Sequence, residues 1–149
     1  MLLPFTGGLV EASRFDNELR ILADAHYSRQ KTGTPQFCPP GELVLLRDAQ
    51  GRVVFSWVLQ KYRLDDQRGF YNSIFRNISG RLSSEVILEA EQFAVRRWGA
   101  GRAFTKVDPS KVKSPNPGYC FKVAGWSFVG KDPEGKHILE KNLSRGMCG

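Results

Sequence analysis

The segment that most constrains this chain is Ser83–Trp98, SSEVILEAEQFAVRRW. Val86, Ile87, Ala90, Phe93, Ala94 and Trp98 recur at the three- and four-residue spacing of one helix face. Glu85, Glu89, Glu91, Arg96 and Arg97 fall largely outside that stripe. Acids come early and arginines late, which complements the helix dipole, and Gly99 and Gly101 end the segment. Strand-like runs flank it, FYNSIFRN before and RAFTKVD after. Strand, helix and strand in that order imply a right-handed crossover and a locally parallel strand pair.

The remaining segments fill in a sheet around that unit. In EASRFDNELRILADAHYS, Phe15, Leu19, Leu22 and His26 share a helix face, with Ser13 placed to cap its start. The Gly- and Pro-rich KTGTPQFCPPG is a loop. ELVLLRD and RVVFSWVLQKYR, separated by a short glycine turn, form an antiparallel hairpin. A short helix beginning at Tyr119-Cys120-Phe121 follows the last central strand, and WSFVG and HILEKN close the chain as a hairpin around DPEGK. The expected fold is therefore α+β: a mixed, mostly antiparallel sheet with helices on both faces. It forms one domain over residues 1–149, with 1–10 and 143–149 as loosely ordered tails.

Lysine and arginine number 22 against 15 acids, a net charge of +7. That surplus on a small domain suits a polyanion, most simply nucleic acid, although solubility alone also favours basic surfaces. Cys38, Cys120 and Cys148 are odd in number and without CxxC spacing, which argues against a disulfide scaffold and against a four-cysteine zinc site. No apolar run reaches the ~18 residues of a membrane span. The opening MLLPFTGGLV has no basic n-region and is broken by Pro4 and Gly7-Gly8, so a cytoplasmic protein without a membrane partner is expected.

Polar residues gather at four places. Ile78-Ser79-Gly80-Arg81-Leu82 leads into Ser83 and Ser84, where free N–H groups at a helix start suit an anion or oxyanion; an ordinary N-cap has the same composition. Asn77 ends the strand before that turn. Asp108 leaves RAFTKVD at the carboxyl end of a strand beside a crossover, where open sheets gather ligands, yet an Asp that caps its own turn reads identically. In SPNPGYCFKVAGW, Pro115 and Pro117 fix the backbone around Asn116, and Gly118 turns the chain into the helix that begins at Tyr119. His26-Tyr27-Ser28 is the fourth. Cations cluster beside these sites: Arg29 and Lys31, Arg76 and Arg81, and Lys106, Lys111 and Lys113. Such clusters are what a phosphate-tracking surface needs.

The element order resembles the GNAT acyltransferase fold. GNAT enzymes carry a Gln/Arg-x-x-Gly-x-Gly/Ala turn before the central helix, where this chain has GRLSSE, so acetyl-CoA is not the expected donor. HYS, FRN followed by SSE, TKVDP and SPNPGYCFKVAGW, in this order, resemble a narrower group, the phage Mom-type DNA modification proteins and their small prophage relatives. The likeness runs from about Ala23 to Glu140 and is strongest between Phe75 and Trp126. It implies a transferase that adds a carbamoylmethyl group to the exocyclic amine of adenine in double-stranded DNA, shielding phage DNA from restriction. It also implies iron, with Tyr27, beside His26, and Asp108 as the metal-associated or catalytic pair and His26 as a further metal and catalytic candidate. Ser83, Ser84, Asn116 and Tyr119 would complete the catalytic pocket, and Asn77, Ser83 and Ser84 the cofactor side. A homodimer is compatible with this reading. A CoA-dependent N-acetyltransferase and a non-catalytic DNA-binding module are the alternatives.

Overall fold

The computed structural model describes residues 8–24, 38–61, 63–112 and 115–145. The elements are β1 (Val10–Ala12), α1 (Asn17–Asp24), β2 (Glu42–Arg47), β3 (Val53–Leu59), β4 (Phe70–Asn77), α2 (Ser83–Trp98), β5 (Gly101–Val107), α3 (Tyr119–Val123), β6 (Ser127–Lys131) and β7 (His137–Leu143). They build one seven-stranded sheet in the order β1-β2-β3-β4-β5-β7-β6. β4 and β5 pair in parallel, as the α2 crossover requires, and every other neighbouring pair is antiparallel.

Strand alternation explains why both faces are covered. Val44, Leu46, Val53, Phe55 and Trp57 point to the side where α2 places Val86, Ile87, Ala90 and Ala94. The intervening Leu45 and Val54 point the other way, to Leu19, Leu22 and Ala23 of α1. Trp57 stacks on Trp126 at 6.2 Å, and Phe121 meets Trp126 edge-on at 4.9 Å, so the exit of α3 is anchored in the main core.

β4 breaks the alternation once. Phe55 pairs with Phe75 and Trp57 with Asn72, so Ser56 alone faces both Ser73 and Ile74. This is a β-bulge on β4. Phe70 and Phe75 consequently lie on the α2 face while Ile74 lies against α1. Side chains satisfy the disturbed backbone: Ile74 N–H donates to Ser56 Oγ at 2.9 Å, and Asn72 Nδ2 donates to the carbonyls of Ser56 (3.1 Å) and Ile74 (2.9 Å).

The structure corrects four expectations. α1 starts at Asn17, and its cap is Asp16, which accepts the Leu19 N–H at 3.0 Å; Ser13 instead bonds the Phe15 N–H at 3.1 Å, and Phe15 is left 59% exposed. Leu82, with no side-chain cap bond, occupies the N-cap of α2, so Ser83 and Ser84 lie inside the helix. Ordered structure reaches into both expected tails, where Leu9 and Leu143 are buried. Glu91, read as lying outside the apolar stripe, is 1% exposed.

Asp16 also receives Arg47 at 2.7 Å, which ties α1 to β2. Asp16→Ala is therefore expected to destabilise the fold by about 1–2 kcal/mol, the range for a lost N-cap, measured by urea unfolding against wild type.

Candidate functional site

The parallel pair is short. β4 and β5 pair only at Phe70–Asn72 with Ala103–Thr105, and then part as β4 runs on to Asn77 and β5 to Val107. The bulge at Ser73–Ile74 falls at the level where they separate, and a bulge bends its strand. A cavity of about 180 Å³ fills the gap. A cavity of ~150 Å³ already holds benzene, so one ring or a small acyl-sized group fits here.

The lining draws on both faces of the sheet. Phe75, Val107, Cys120 and Phe121 form an apolar wall beneath α3; Tyr71, Ser73, Lys106 and Lys136 line the opposite side. Asn72 and Thr105 sit at the apex, where Thr105 Oγ1 donates to Asn72 Oδ1 at 3.0 Å. Burial pushes the Cys120 thiol upward, so at neutral pH it is a neutral wall and a poor nucleophile. Burial likewise raises Tyr71, against the lowering effect of Arg63 and Lys106.

Lys106 is held rather than free. Its Nζ meets Asp65 at 2.8 Å and Asp132 at 3.3 Å. Burial alone would lower its pKa, but the two carboxylates outweigh that and raise it, so it stays an ammonium. Asp65 in turn takes Arg63 through two bonds, at 2.8 and 2.6 Å. The Arg63 guanidinium, together with Lys106 and the Gln67 N–H, holds the Asp65 carboxyl far below the usual carboxylate range despite burial. A folded-state value below the unfolded one contributes stability that is present above the ordinary carboxylate pKa and is lost as pH falls below it. Asp65→Asn is thus expected to flatten the loss of stability below about pH 4, measured by thermal unfolding across a pH series.

The residues singled out in the sequence distribute around this cavity in different ways. Asp108 directly follows Val107, a lining residue. Its Oδ1 accepts the Ser110 N–H (3.0 Å) and hydroxyl (2.7 Å), the turn-capping role. Those bonds, followed by Lys111 and Lys136, lower its pKa. Tyr119 is 61% exposed at the start of α3, between the lining residues Gly118 and Cys120. Gly118 has φ +75°, and a Cβ there would lie 2.3 Å from Leu139 Cδ1, so glycine is required for α3 to approach β7. Asn116 is exposed, accepts the Tyr119 N–H at 3.1 Å through its carbonyl, and takes Lys122 Nζ on Oδ1 at 2.5 Å.

The turn into α2 is tied from within. Asn77 Nδ2 donates to the Arg81 carbonyl (2.9 Å) and to Ser83 Oγ (3.1 Å), and its Oδ1 accepts from the Ser79 N–H (2.9 Å) and hydroxyl (2.5 Å). Ser84, next in the helix, is half-buried. The parallel pair directs the ends of β4 and β5 the same way, so the start of α2 and Asp108 share one end of the sheet. Neither serine lines the cavity. Arg81 pairs with Glu89 at 2.8 Å, and Arg76 donates to the Leu22 carbonyl at 3.1 Å; Lys111 is exposed at the Asp108 turn. His26, Tyr27, Arg29, Lys31, Lys113 and Ser114 lie outside the described residues.

Sequence reasoning did not find Lys136, Cys120, Ser73 or the bulge. The available signal for the bulge was that apolar and polar residues of Phe70–Asn77 come in pairs rather than in alternation. Of the iron donors that the resemblance suggests, only Asp108 is described, and its Oδ1 is engaged by Ser110. Among the described residues no three His, Cys, Asp or Glu side chains form a metal-binding group. No described helix is long and apolar enough to cross a membrane. No protein-family model and no curated protein matches the sequence.

Proposed function

We infer that the chain is a GNAT-like transferase that modifies the exocyclic amine of adenine in DNA, in the manner of the Mom-type proteins it resembles. One observation carries the reading: the split between β4 and β5 opens a ring-sized cavity lined in part by Lys106 and Lys136, and next in sequence to its lining residues stand Asp108, whose pKa is lowered, and the exposed Tyr119. A crossover point at the carboxyl ends of parallel strands is where such sheets receive ligands.

In this reading Lys111 and Lys136 hold the DNA backbone while the target adenine leaves the stack, and Tyr119 supplies a face for the displaced base. Because its pKa is lowered, Asp108 is a weak base. Its part is to orient the amine by accepting one N–H. As the amine nitrogen forms its bond to the carbamoylmethyl carbon, the donor's leaving group departs with the bonding electrons, and the surplus proton passes to solvent through the exposed rim.

Plasmid prepared from bacterial cells expressing the protein is expected to resist restriction enzymes that read adenine. Asp108→Ala should lose that protection by at least about tenfold while keeping its duplex affinity. Unprotected plasmid from cells holding soluble wild-type protein would overturn the reading. The CoA-dependent alternative draws on the start of α2, where no side chain caps the helix and a phosphate is electrostatically favoured. Saturable acetyl-CoA binding by calorimetry would favour it.

A further inference from the structure

The end of the sheet where β4 starts carries a second cleft. β3 ends at Leu59 beside the start of β4, and the intervening loop surrounds a space of about 400 Å³. Its walls come from Leu59, Gln60, Lys61, Arg63, Gln67 and Arg68, with Asp66 and Gly69 completing it. Lys61, Arg63 and Arg68 line it with Asp66, and Arg63 is paired with Asp65 just outside the lining.

The cleft is held in shape from beneath. Arg63 is locked on Asp65, bonds Gln60 Oε1 at 2.6 Å and lies over the Tyr71 ring at 4.4 Å. Arg102, at the start of β5, donates to the Arg68 carbonyl at 2.8 Å and to Gln67 Oε1 at 2.9 Å. Gly69 presses so close to Arg102 that a Cβ would sit 2.1 Å from its carbonyl oxygen. On this base Lys61 and Arg68 are exposed. The same end of the sheet carries Arg96 and Arg97 in the last turn of α2, and Arg145 beyond β7. Its excess of positive charge is thus wider than the loop.

We propose that this cleft binds phosphate groups, with Lys61 and Arg68 as its contacts and the Arg63–Arg102 framework fixing their spacing. A rigid cluster of cations around a polar hollow matches the chemistry of phosphate oxygens, and an arginine contact adds planar, forked donors. The phosphates belong either to a nucleic-acid backbone or to a small phosphorylated ligand. In the first case the protein grips nucleic acid at a second place, beside the reaction cavity rather than in it.

The test uses the full chain, a Lys61→Ala/Arg68→Ala double variant, and two probes. A short mixed-sequence DNA duplex is titrated by fluorescence anisotropy over a salt series, and inorganic pyrophosphate is titrated by calorimetry. If the backbone is the ligand, the double variant binds the duplex roughly tenfold more weakly, and its log-log salt slope is shallower by about 2. If a small phosphorylated ligand is the occupant, pyrophosphate heats vanish in the variant while duplex binding is unchanged. Unchanged duplex affinity and slope together with unchanged or absent pyrophosphate heats overturn the proposal. The pyrophosphate arm stands even where adenine modification fails, so the two conclusions are tested separately.

Discussion

Glu91→Ala is expected to destabilise the fold by about 3–5 kcal/mol, the cost of breaking a buried charge pair by removing one partner. The Glu91 side chain is 2% exposed and its Oε1 takes Lys141 Nζ at 2.8 Å, while Oε2 accepts the Trp126 indole N–H at 2.9 Å. Lys141 also donates to the Ala124 carbonyl at 2.8 Å. One carboxylate therefore joins α2, the exit of α3 and β7. Its loss leaves the indole N–H without its acceptor and the ammonium without this counter-charge, held by the Ala124 carbonyl, in a largely dry site. Burial raises the Glu91 carboxyl while Lys141 and Trp126 oppose that rise, so the group is sustained by its partners alone. Chemical denaturation measures the effect. A double variant that also removes Lys141 should recover part of the loss, because it no longer buries an uncompensated charge. A single variant within about 1 kcal/mol of wild type would show that the network contributes little.

Cys120→Phe is expected to reduce adenine modification more than about a hundredfold while leaving the fold intact, since small displacements of reacting groups already cost that much. Cys120 lines the β4–β5 cavity from the first turn of α3, at the edge of the main core and only partly buried, so a phenyl ring has the cavity to enter. A far-ultraviolet spectrum and melting point close to wild type, with modification lost, place the reaction in this cavity. Full activity from the filled variant removes the cavity from the mechanism. Cys120→Ser serves as the control: it keeps the volume and is expected to retain activity, because a neutral thiol at this position has no nucleophilic role.

The order of elements was legible because it rests on local rules. The apolar stripe of α2, the glycines that end it and the strand runs beside it read as they fold. Two failures have different causes, one tertiary and one local. Glu91 reads as a solvent-facing acid on a helical wheel, and only Trp126 and Lys141, distant in sequence, explain its burial. Phe15 shares a helical spacing with Leu19 and Leu22, yet the Asp16 cap starts the helix after it, so the chain's capping chemistry outweighed its periodicity. The β1 strand was missed because three residues carry no periodic signal, and its pairing is fixed by β2.

The candidate site was less legible. TKVDP and GYC contribute Lys106, Val107, Gly118 and Cys120 to the cavity lining. The cavity itself depends on where β4 and β5 stop pairing and on a bulge opposite Ser56, and neither can be read from one strand alone. Lys106 looked like a phosphate contact because one dimension does not reveal Asp65 and Asp132 beside it.

The most direct measurement is nucleoside mass spectrometry of DNA digested from cells that express the soluble protein. The account expects a deoxyadenosine heavier by one carbamoylmethyl group with wild type, and its absence with Cys120→Phe. Only unmodified deoxyadenosine with wild type, in a host able to supply the donor, would contradict it.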